Sequence, residues 1–405
     1  MKILMIAPQP FFEPRGTPIS VYQRVSGLSK LGHTIDLVTY PIGQDVEFPE
    51  VRIHRAPRLP FVKELKVGPS WSKLPLDTVL LIKTIVLLLR NKYDLIHSHE
   101  EASIFAQPLA AIFHTRHLYD MHSSLPRQLV NFNFGNNRFF ITLFRWLERM
   151  VINHCDAMIT IGPDLEQYVR SINSRVPQQM IENLPLKIKQ TESEIEKARQ
   201  LKQRLGLNGN LAIVYTGTFE RYQGVNVLIE SAAVIKETHP NVRFLLVGGK
   251  PAQVQELKQL AIGLHLDEQV YFTGTVSVDE ANLYMEMADI LVSPRIEGTS
   301  VPLKIYTYLR MGKPIMATNL PAHSLVLNDD TAVLVEPSRA GFVDGLSRLI
   351  EDEGLRSHLS QQSLKLADEK YNTANYLAKL EKIYEAVQSA TPSSKQPVQH
   401  IQIKD

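Results

Sequence analysis

One carboxylate occupies a loop before a helix in the second half of the chain. Glu297 lies in "SPRIEGTSVPLKIYTYL", where an apolar stretch ends at Ser293 and a helix is expected to open near Pro302. Such a carboxylate can accept hydrogen bonds from sugar hydroxyls, while the free amides of the following helix start can bind phosphate. A capped helix with an acid near its positive end is the structural alternative.

Other residues of this stretch could serve the same site. Lys304 could add positive charge beside a phosphate. Thr307 lies on the following helix, at a position where a second carboxylate would be expected. The remaining candidate ligand-binding residues are in the loop itself, at Arg295, Gly298, Thr299 and Ser300.

A second candidate phosphate site lies upstream, in "VYTGTFERYQGVNVLIESA". A strand, a glycine turn, a cation and a helix start in succession can bind a diphosphate. Its candidate residues are Gly217, Thr218, Arg221 and Gln223. No GxGxxG or GxxxxGK[ST] motif occurs in the sequence, so Rossmann oxidoreductases and P-loop enzymes lose their main support.

The first half offers a glycine loop and a histidine. Gly16 and Thr17 follow the first apolar stretch and precede a helix, so the main chain at Gly16 could approach a phosphate. A plain tight turn fits the same residues equally well. His122 follows a strand and could hydrogen-bond a hydroxyl. The alternative is that His122, like His97, His99 and His117, is a packed and hydrogen-bonded residue of the interior. The sequence contains no compact metal-ligand motif.

Short apolar, β-branched stretches alternate with helical segments along the chain, which predicts parallel βαβ units. Six such stretches precede residue 190 and six follow it, beginning with "KILMIAP" and ending with "AVLVEP". The sequence therefore predicts two doubly wound α/β domains. Ligands of such sheets lie beyond the carboxyl ends of the strands, so two sheets facing each other would form a cleft.

We place the domain boundaries at changes of pattern. Residues 1–190 form the first domain and residues 191–370 the second, whose opening helix carries a capping box at Thr191 and Glu194. We predict that residues 371–389 form a helix that crosses back to the first domain and that residues 390–405 form a loose polar tail.

Composition sets broad limits. The 405 residues are 44% hydrophobic and 21% charged, with one cysteine, Cys155, so no intramolecular disulfide can form and a cytoplasmic location is the default. Residues 1–190 carry 22 Lys+Arg against 16 Asp+Glu, and residues 191–405 carry 22 against 26. The basic first half suggests peripheral contact with an anionic membrane face, with solvated surface charge as the alternative.

The segment "NNRFFITLFRWLERMVINHC" combines aromatic residues with arginines at helical spacing. It could touch lipid. We interpret it instead as a helix whose apolar side packs on the core and whose arginines face water.

Together these motifs resemble the retaining glycosyltransferases of family four, the group-one transferases, over roughly residues 1–385. The likeness rests on "PRGTP", "MHSS", "YTGTFERYQGVNVLIESA" and "SPRIEGTSVPLKIYTYLRMGKPIMAT". It implies the GT-B fold, in which two Rossmann-like domains face each other across a cleft. It also implies a nucleotide-sugar donor on the second domain, a sugar or lipid-linked acceptor on the first, and neither a cofactor nor a tightly bound metal.

The resemblance implies roles for single residues. Gly16 matches the loop near the donor diphosphate, His122 the histidine near the transferred sugar, and Glu297 the first acid of a two-glutamate motif. Thr307 stands where the family has its second glutamate, two residues farther from Glu297 than usual. Thr218 and Gln223 stand where many members have arginine and lysine, which leaves Arg221 or Lys304 as substitutes.

The implied reaction is transfer of a sugar to an acceptor hydroxyl, in the synthesis of a glycan, glycolipid or cell-surface polysaccharide. The three departures keep two alternatives open. One is a non-catalytic protein of the same fold that binds a nucleotide sugar or a partner. The other is an epimerase or phosphorylase on this fold. Base, sugar and acceptor are not specified by the sequence.

Overall fold

The computed structural model describes residues 1–13, 16–59, 73–126, 138–185 and 191–389. By its internal contacts the chain divides into two units. The first comprises Met1–Asn183 and the chain from Thr373 onward, and the second comprises Leu184–Asn372. The expected loose tail, residues 390–405, lies outside the described residues.

The first unit contains a parallel sheet that has seven strands within the described residues, in the order β3-β2-β1-β4-β5-β6-β7. The strands are Lys2–Ala7 (β1), Thr34–Thr39 (β2), Val51–Arg55 (β3), Leu95–His99 (β4), Arg116–Met121 (β5), Ala157–Thr160 (β6) and Gln178–Met180 (β7). The helices are Thr17–Lys30, Lys73–Arg90, Ser103–Ile112, Arg138–His154, Pro163–Ile172 and Thr373–Ser389, with a 3-10 turn at Glu100–Ala102.

The second unit repeats this plan with a sheet of six described strands in the order β10-β9-β8-β11-β12-β13. The strands are Leu211–Gly217 (β8), Val242–Gly248 (β9), Val270–Gly274 (β10), Ile290–Ser293 (β11), Ile315–Thr318 (β12) and Val333–Val335 (β13). The helices are Glu192–Arg204, Val225–Thr238, Pro251–Gly263, Val278–Met287, Leu303–Met311, Pro321–Ser324, Arg339–Glu351 and Glu353–Glu369, with a 3-10 turn at Arg221–Gln223.

These sheets confirm the predicted fold class of two doubly wound α/β domains. Strands β1 and β8 lie in the middle of their sheets and are buried where helices cover the sheet faces. Examples are Ile3 and Met5 in β1 and Ile213 and Tyr215 in β8. In each unit the strand order changes direction beside the first strand, and such switch points are where open α/β sheets bind ligands.

Local sequence signals account for several helix ends. Thr191 and Glu194 form the predicted capping box at the start of Glu192–Arg204. Pro18 lies in the first turn of Thr17–Lys30. Helix Leu303–Met311 ends at Gly312, whose φ of 60° favours glycine.

The helix Arg138–His154 agrees with our interpretation in part, because Arg145 and Arg149 face water and Val151 and Ile152 are buried, but its first aromatic residues are exposed as well. Phe139, Phe140, Leu143 and Trp146 are exposed, whereas Glu148 is 1% exposed. The reason is a polar contact on the inner side, where Glu148 accepts hydrogen bonds from the Ser124 hydroxyl at 3.0 Å and the Leu125 amide at 2.8 Å. Among the described residues, the helices are all too short or too polar to cross a lipid bilayer.

The last described helix, Thr373–Ser389, packs within the first unit, as the sequence predicted. It crosses helix Thr17–Lys30 at Gly27, where an added Cβ would lie 2.6 Å from a Leu380 methyl carbon and 3.0 Å from the Tyr376 ring. Glycine therefore permits the close approach of the two helices.

Gly27→Val is expected to destabilise the first unit by roughly 1–3 kcal/mol, because its methyl groups would overpack against Leu380 and Tyr376. Denaturant unfolding of the parent and the variant measures this difference. The control is Gly263→Val, since a Cβ at Gly263 meets no atom within 4 Å. Helix propensity alone favours valine over glycine, so equal effects at both positions would contradict the packing argument.

Candidate active site

In the second unit, the two predicted loops meet at the carboxyl end of the sheet. Gly224 opens helix Val225–Thr238 with a φ of 68°, and an added Cβ there would lie 2.0 Å from the carbonyl oxygen of Pro294. Beside this contact the Ile296 amide donates to the Tyr222 carbonyl at 2.9 Å. The loops that follow β8 and β11 are therefore joined, and the free amides of the helix start lie next to both.

Lys304 brings a buried positive charge to this place. Its ammonium nitrogen is buried and has no hydrogen-bond partner among the described residues, although part of the aliphatic stem is exposed. The nitrogen lies 3.9 Å from the centroid of the Tyr215 ring and 3.0 Å from where a Cβ on Gly217 would stand. Burial, followed by repulsion from Arg295, holds the pKa of Lys304 well below its usual range.

Arg295 holds the loop that carries Glu297. Its Nη1 donates to the Ser300 carbonyl at 2.7 Å, and its guanidinium lies 5.1 Å from the centroid of the Tyr222 ring. Burial lowers the pKa of Arg295. Glu297 and the rest of the loop through Ser300 are exposed, so the carboxylate is open to a ligand.

The remaining candidates of the second unit differ in exposure. Gly217, Thr218 and Arg221 are exposed. Gln223 is 7% exposed and its side-chain oxygen has no partner among the described residues. Thr307 is 2% exposed, so its hydroxyl lies in the interior of the unit, and its contact with a ribose stays a prediction.

His323 belongs to this region, although the sequence reading did not select it. Its Nε2 lies 2.8 Å from the Ser293 hydroxyl and its Nδ1 lies 3.0 Å from the Thr318 carbonyl oxygen. Burial lowers the pKa of His323 to about 4, and the charges of Lys304 and Arg295 add to the shift. The imidazole is thus neutral at pH 7 and ties together the ends of β11 and β12.

In the first unit, Gly16 is exposed with a φ of 52° and precedes helix Thr17–Lys30. The Thr17 hydroxyl donates to the Glu100 carboxylate at 3.3 Å. Pro14 and Arg15, the start of the predicted glycine loop, lie outside the described residues.

An acidic group beside Thr17 was missed by the sequence reading. Glu101 contacts the Lys73 ammonium at 3.3 Å, and Asp77 accepts a hydrogen bond from the Tyr40 hydroxyl at 2.5 Å. Burial and the neighbouring charge of Glu101 raise the pKa of both Glu100 and Asp77 to about 7. Only the pair of acids in "HSHEE" could have indicated this group, because Asp77 is brought near by the fold.

His122 lies in a buried polar cluster at the carboxyl ends of β4 and β5. It is 5% exposed, and its Nε2 lies 3.4 Å from Asp120 Oδ1 and 3.1 Å from His99 Nδ1. Asp120 in turn pairs with the Arg24 guanidinium at 2.8 Å. Burial lowers the pKa of His122 to about 4, against the attraction of Asp120. The contact of His122 with a sugar stays a prediction.

The same cluster contains the donor set in the described residues that comes closest to a metal site. Ligand atoms of His97, His99 and Asp120 lie within 4.8 Å of one another. However, Arg24 already neutralises Asp120, so a divalent cation would leave a buried net charge of two. The group is better suited to hydrogen bonding than to holding a metal.

Two family models match the chain. The model described as Glycosyltransferase Family 4 matches residues 14–183, and the model described as Glycosyl transferases group 1 matches residues 210–352. This chain belongs to the family-four glycosyltransferases. Membership confirms the resemblance drawn from the motifs and identifies the chain as a glycosyltransferase.

Named relatives match along most of their length. The alpha-D-kanosaminyltransferase of Streptomyces kanamyceticus is 23% identical over 377 residues, which cover 85% of this chain and 91% of that protein. The phosphatidyl-myo-inositol mannosyltransferase of Mycobacterium leprae is 23% identical over 416 residues, which cover 98% and 99%.

Solved structures confirm the GT-B fold. Sucrose-phosphate synthase from Thermosynechococcus elongatus superposes with a TM-score of 0.78 at 19% identity, covering 96% of this chain and 100% of that one. The Anabaena protein HepE in complex with UDP-glucose superposes with a TM-score of 0.68 at 18% identity, with the same coverage.

The buried carboxyl group of Glu100 gives a prediction for stability against pH. Because its folded pKa is raised, the protonated form is favoured in the folded state, so stability is lost as pH rises from the ordinary glutamate range through about 7. Glu100→Gln removes this titration. Unfolding in denaturant at pH 5 and pH 7.5 should show a smaller loss in the variant than in the parent.

The control for this measurement is Glu47→Gln, which alters an exposed carboxylate of the same unit and should reproduce the parent's pH dependence. A Glu100→Gln profile parallel to the parent's would contradict the raised pKa.

Proposed function

We propose that this glycosyltransferase moves a sugar from a nucleotide-sugar donor to an acceptor hydroxyl with retention at the anomeric carbon and without a bound metal. The product would belong to a glycan, a glycolipid or a cell-surface polysaccharide. The observation that carries this proposal is the buried ammonium of Lys304, which lies beside the glycine turn at Gly217 and has no hydrogen-bond partner within the part of the chain that the structure describes.

An unpaired buried cation is costly, and a bound anion removes the cost by supplying the missing partner. A diphosphate fits this position because it also meets the amides at the start of helix Val225–Thr238. Thr218, Arg221 and Gln223 would line the nucleotide. Arg295 would add a second cation within the same loop pair.

Glu297 would hold the hydroxyls of the donor sugar, together with the backbone of Gly298, Thr299 and Ser300. This assignment is supported by the exposure of the whole loop and by the hydrogen bond through which Arg295 shapes it. A carboxylate that accepts hydrogen bonds from hydroxyls makes the stronger, charge-assisted kind.

In the proposed reaction the bond between the anomeric carbon and the phosphate oxygen breaks, and the acceptor oxygen bonds to the same face of that carbon. The acceptor proton passes to the leaving diphosphate. Charge builds on the phosphate oxygens, where Lys304 and the helix amides stabilise it more in the transition state than before. This role of the cations replaces the one that a metal would have.

Gly16, Thr17 and His122 would act from the first unit, where Gly16 lets a backbone approach the donor and His122 hydrogen-bonds the reacting sugar. The acidic group of Asp77, Glu100 and Glu101 suits an acceptor rich in hydroxyls, because carboxylates accept their hydrogen bonds. The named relatives include a phosphatidyl-myo-inositol mannosyltransferase, which supports a lipid-linked acceptor.

A direct assay separates this proposal from its alternatives. With nucleotide sugars and an acceptor present, a transferase releases nucleoside diphosphate only when both substrates are added, a phosphorylase consumes phosphate, and a binding protein does neither. Retention predicts the donor's anomeric configuration in the product by NMR, and metal independence predicts unchanged turnover after EDTA.

We also propose that the exposed side of helix Arg138–His154 contacts an anionic membrane. Phe139, Leu143 and Trp146 follow one another at helical spacing and are 68%, 36% and 61% exposed. Arg145 and Arg149 are exposed on the same helix, where each basic residue adds about 1 kcal/mol of attraction to acidic lipids. The protein would then work in the cytoplasm, peripheral to the inner face of the membrane.

Glu297→Gln is expected to lower kcat/KM by roughly a hundred- to a thousandfold, because a preorganised contact to the reacting sugar is lost. Steady-state release of nucleoside diphosphate measures this change, and thermal unfolding should remain near that of the parent because Glu297 is exposed. Glu268→Gln, at another exposed carboxylate of the second unit, is the control. Turnover near the parent level would remove Glu297 from the site.

The double variant Leu143→Ser/Trp146→Ser should bind vesicles containing phosphatidylglycerol at least about tenfold more weakly than the parent, because two apolar side chains no longer enter the interface. Cosedimentation measures the partition. Ile262→Ser, which alters a 49% exposed side chain of the second unit, should leave it unchanged. Equal binding by the double variant and the parent would overturn the membrane assignment.

A further inference from the structure

The last described helix supplies a tyrosine to the polar cluster around His122. The Tyr376 hydroxyl accepts a hydrogen bond from Arg24 Nη1 at 2.7 Å, and Arg24 Nε donates to Asp120 Oδ2 at 2.8 Å. A third bond joins Arg24 Nη2 to the Ile181 carbonyl at 2.9 Å. The guanidinium therefore has a partner at each of its three nitrogens.

A second tyrosine of the same helix reaches the cluster from another side. The Tyr384 hydroxyl lies 2.6 Å from His97 Nδ1, and His97 Nε2 lies 3.5 Å from Asp120 Oδ2. The rings of His97 and His99 stack with their centroids 4.6 Å apart. Two tyrosines thus hold the cluster at both ends, through Arg24 and through His97.

The contacts of His122 determine where its proton lies. Its Nε2 lies 3.1 Å from His99 Nδ1 and 3.4 Å from Asp120 Oδ1, an oxygen with no hydrogen-bond partner among the described residues. Arg24 holds the pKa of Asp120 well below the usual range against burial. The negative charge of Asp120 favours a proton on the nearby Nε2, which can donate it to His99 Nδ1. The neutral imidazole is therefore stabilised with its proton on Nε2, which leaves Nδ1 as a hydrogen-bond acceptor.

The position of the cluster indicates more than core packing. Arg24, His97, His99 and Asp120 are fully buried, whereas His122 is 5% exposed, so His122 is the member of this set that a ligand can meet. The cluster also lies at the carboxyl ends of β4 and β5, the edge at which parallel sheets bind ligands. A buried ion pair rarely stabilises a fold more than apolar packing does.

We propose that Arg24, Asp120, Tyr376 and Tyr384 are positioning residues that fix His122 in the Nε2-protonated tautomer, so that Nδ1 can accept a hydrogen bond from a hydroxyl of the reacting sugar. This inference rests on the proposed function, in which His122 meets that sugar. The charged and titratable groups that face the ring are Asp120, Arg24, His97 and His99.

Nitrogen NMR of the parent tests the tautomer without any assay of activity. The His122 resonances, assigned by comparison with His122→Gln, should show a protonated Nε2 and an unprotonated Nδ1 near pH 7. A proton on Nδ1, or a rapidly exchanging mixture of tautomers, overturns the inference whether or not the protein is a transferase. The expected tautomer in a protein that turns over no donor would instead contradict the proposed function alone.

Tyr376→Phe tests the positioning during turnover. It removes the hydroxyl that holds Arg24 but keeps the ring, so kcat should fall about ten- to a hundredfold while the KM for the donor stays unchanged. The His122 resonances should then broaden or shift toward a tautomer mixture. Tyr384→Phe, which frees His97, should change both readouts in the same direction.

The matched control is Tyr93→Phe. Its hydroxyl is likewise hydrogen-bonded to an ionisable side chain of the first unit, here Asp36 at 2.8 Å, but Tyr93 precedes β4 and so lies at the opposite edge of the sheet. Tyr93→Phe should lower stability without changing kcat or the His122 resonances. If Tyr376→Phe likewise lowers only stability, the network is structural and the positioning role is wrong.

Discussion

Parallel pairing of every described strand is the constraint on which both units depend. A strand that pairs in parallel must be followed by a return across the sheet, so each unit places all its strand ends at one edge and its helix starts beside them. Residues far apart in sequence, such as Gly224 and Pro294, come into contact at that edge for this reason. The edge also collects unpaired helix amides, which attract anions before any side chain takes part.

The two units add opposite charges to this common geometry. The second unit buries the ammonium nitrogen of Lys304 and half-buries Arg295 near its strand ends, while its one candidate carboxylate, Glu297, is exposed. The first unit gathers Asp77 and Glu100, whose pKa values are raised by burial and by neighbouring charge. A cationic edge suits a diphosphate and an acidic edge suits hydroxyl groups, so the charges agree with a donor on one unit and an acceptor on the other.

Patterns of local origin could be read from the sequence, and those set by tertiary contacts could not. The predicted strands are present, but Gln178–Met180 was missed because three residues with two glutamines show no apolar alternation. An amphipathic pattern also does not say how much of an apolar side is covered, so the exposure of Phe139 and Trp146 beside the buried Glu148 was not foreseen. His122 and Lys304 were selected from their motifs, whereas Asp120 and Arg24 were not, because only the fold brings them to His122.

The first unit is discontinuous in sequence, so part of its buried polar network comes from residues that follow the second unit. Arg24 and His97 precede the second unit along the chain, yet each meets a hydroxyl from helix Thr373–Ser389, which follows that whole unit. Without that helix the guanidinium and the imidazole would each lose a partner, and an unsatisfied buried polar group is costly. Helix Thr373–Ser389 therefore completes the polar interior of the first unit as well as its apolar packing. The cluster around His122 is complete only when this helix has packed onto the first unit.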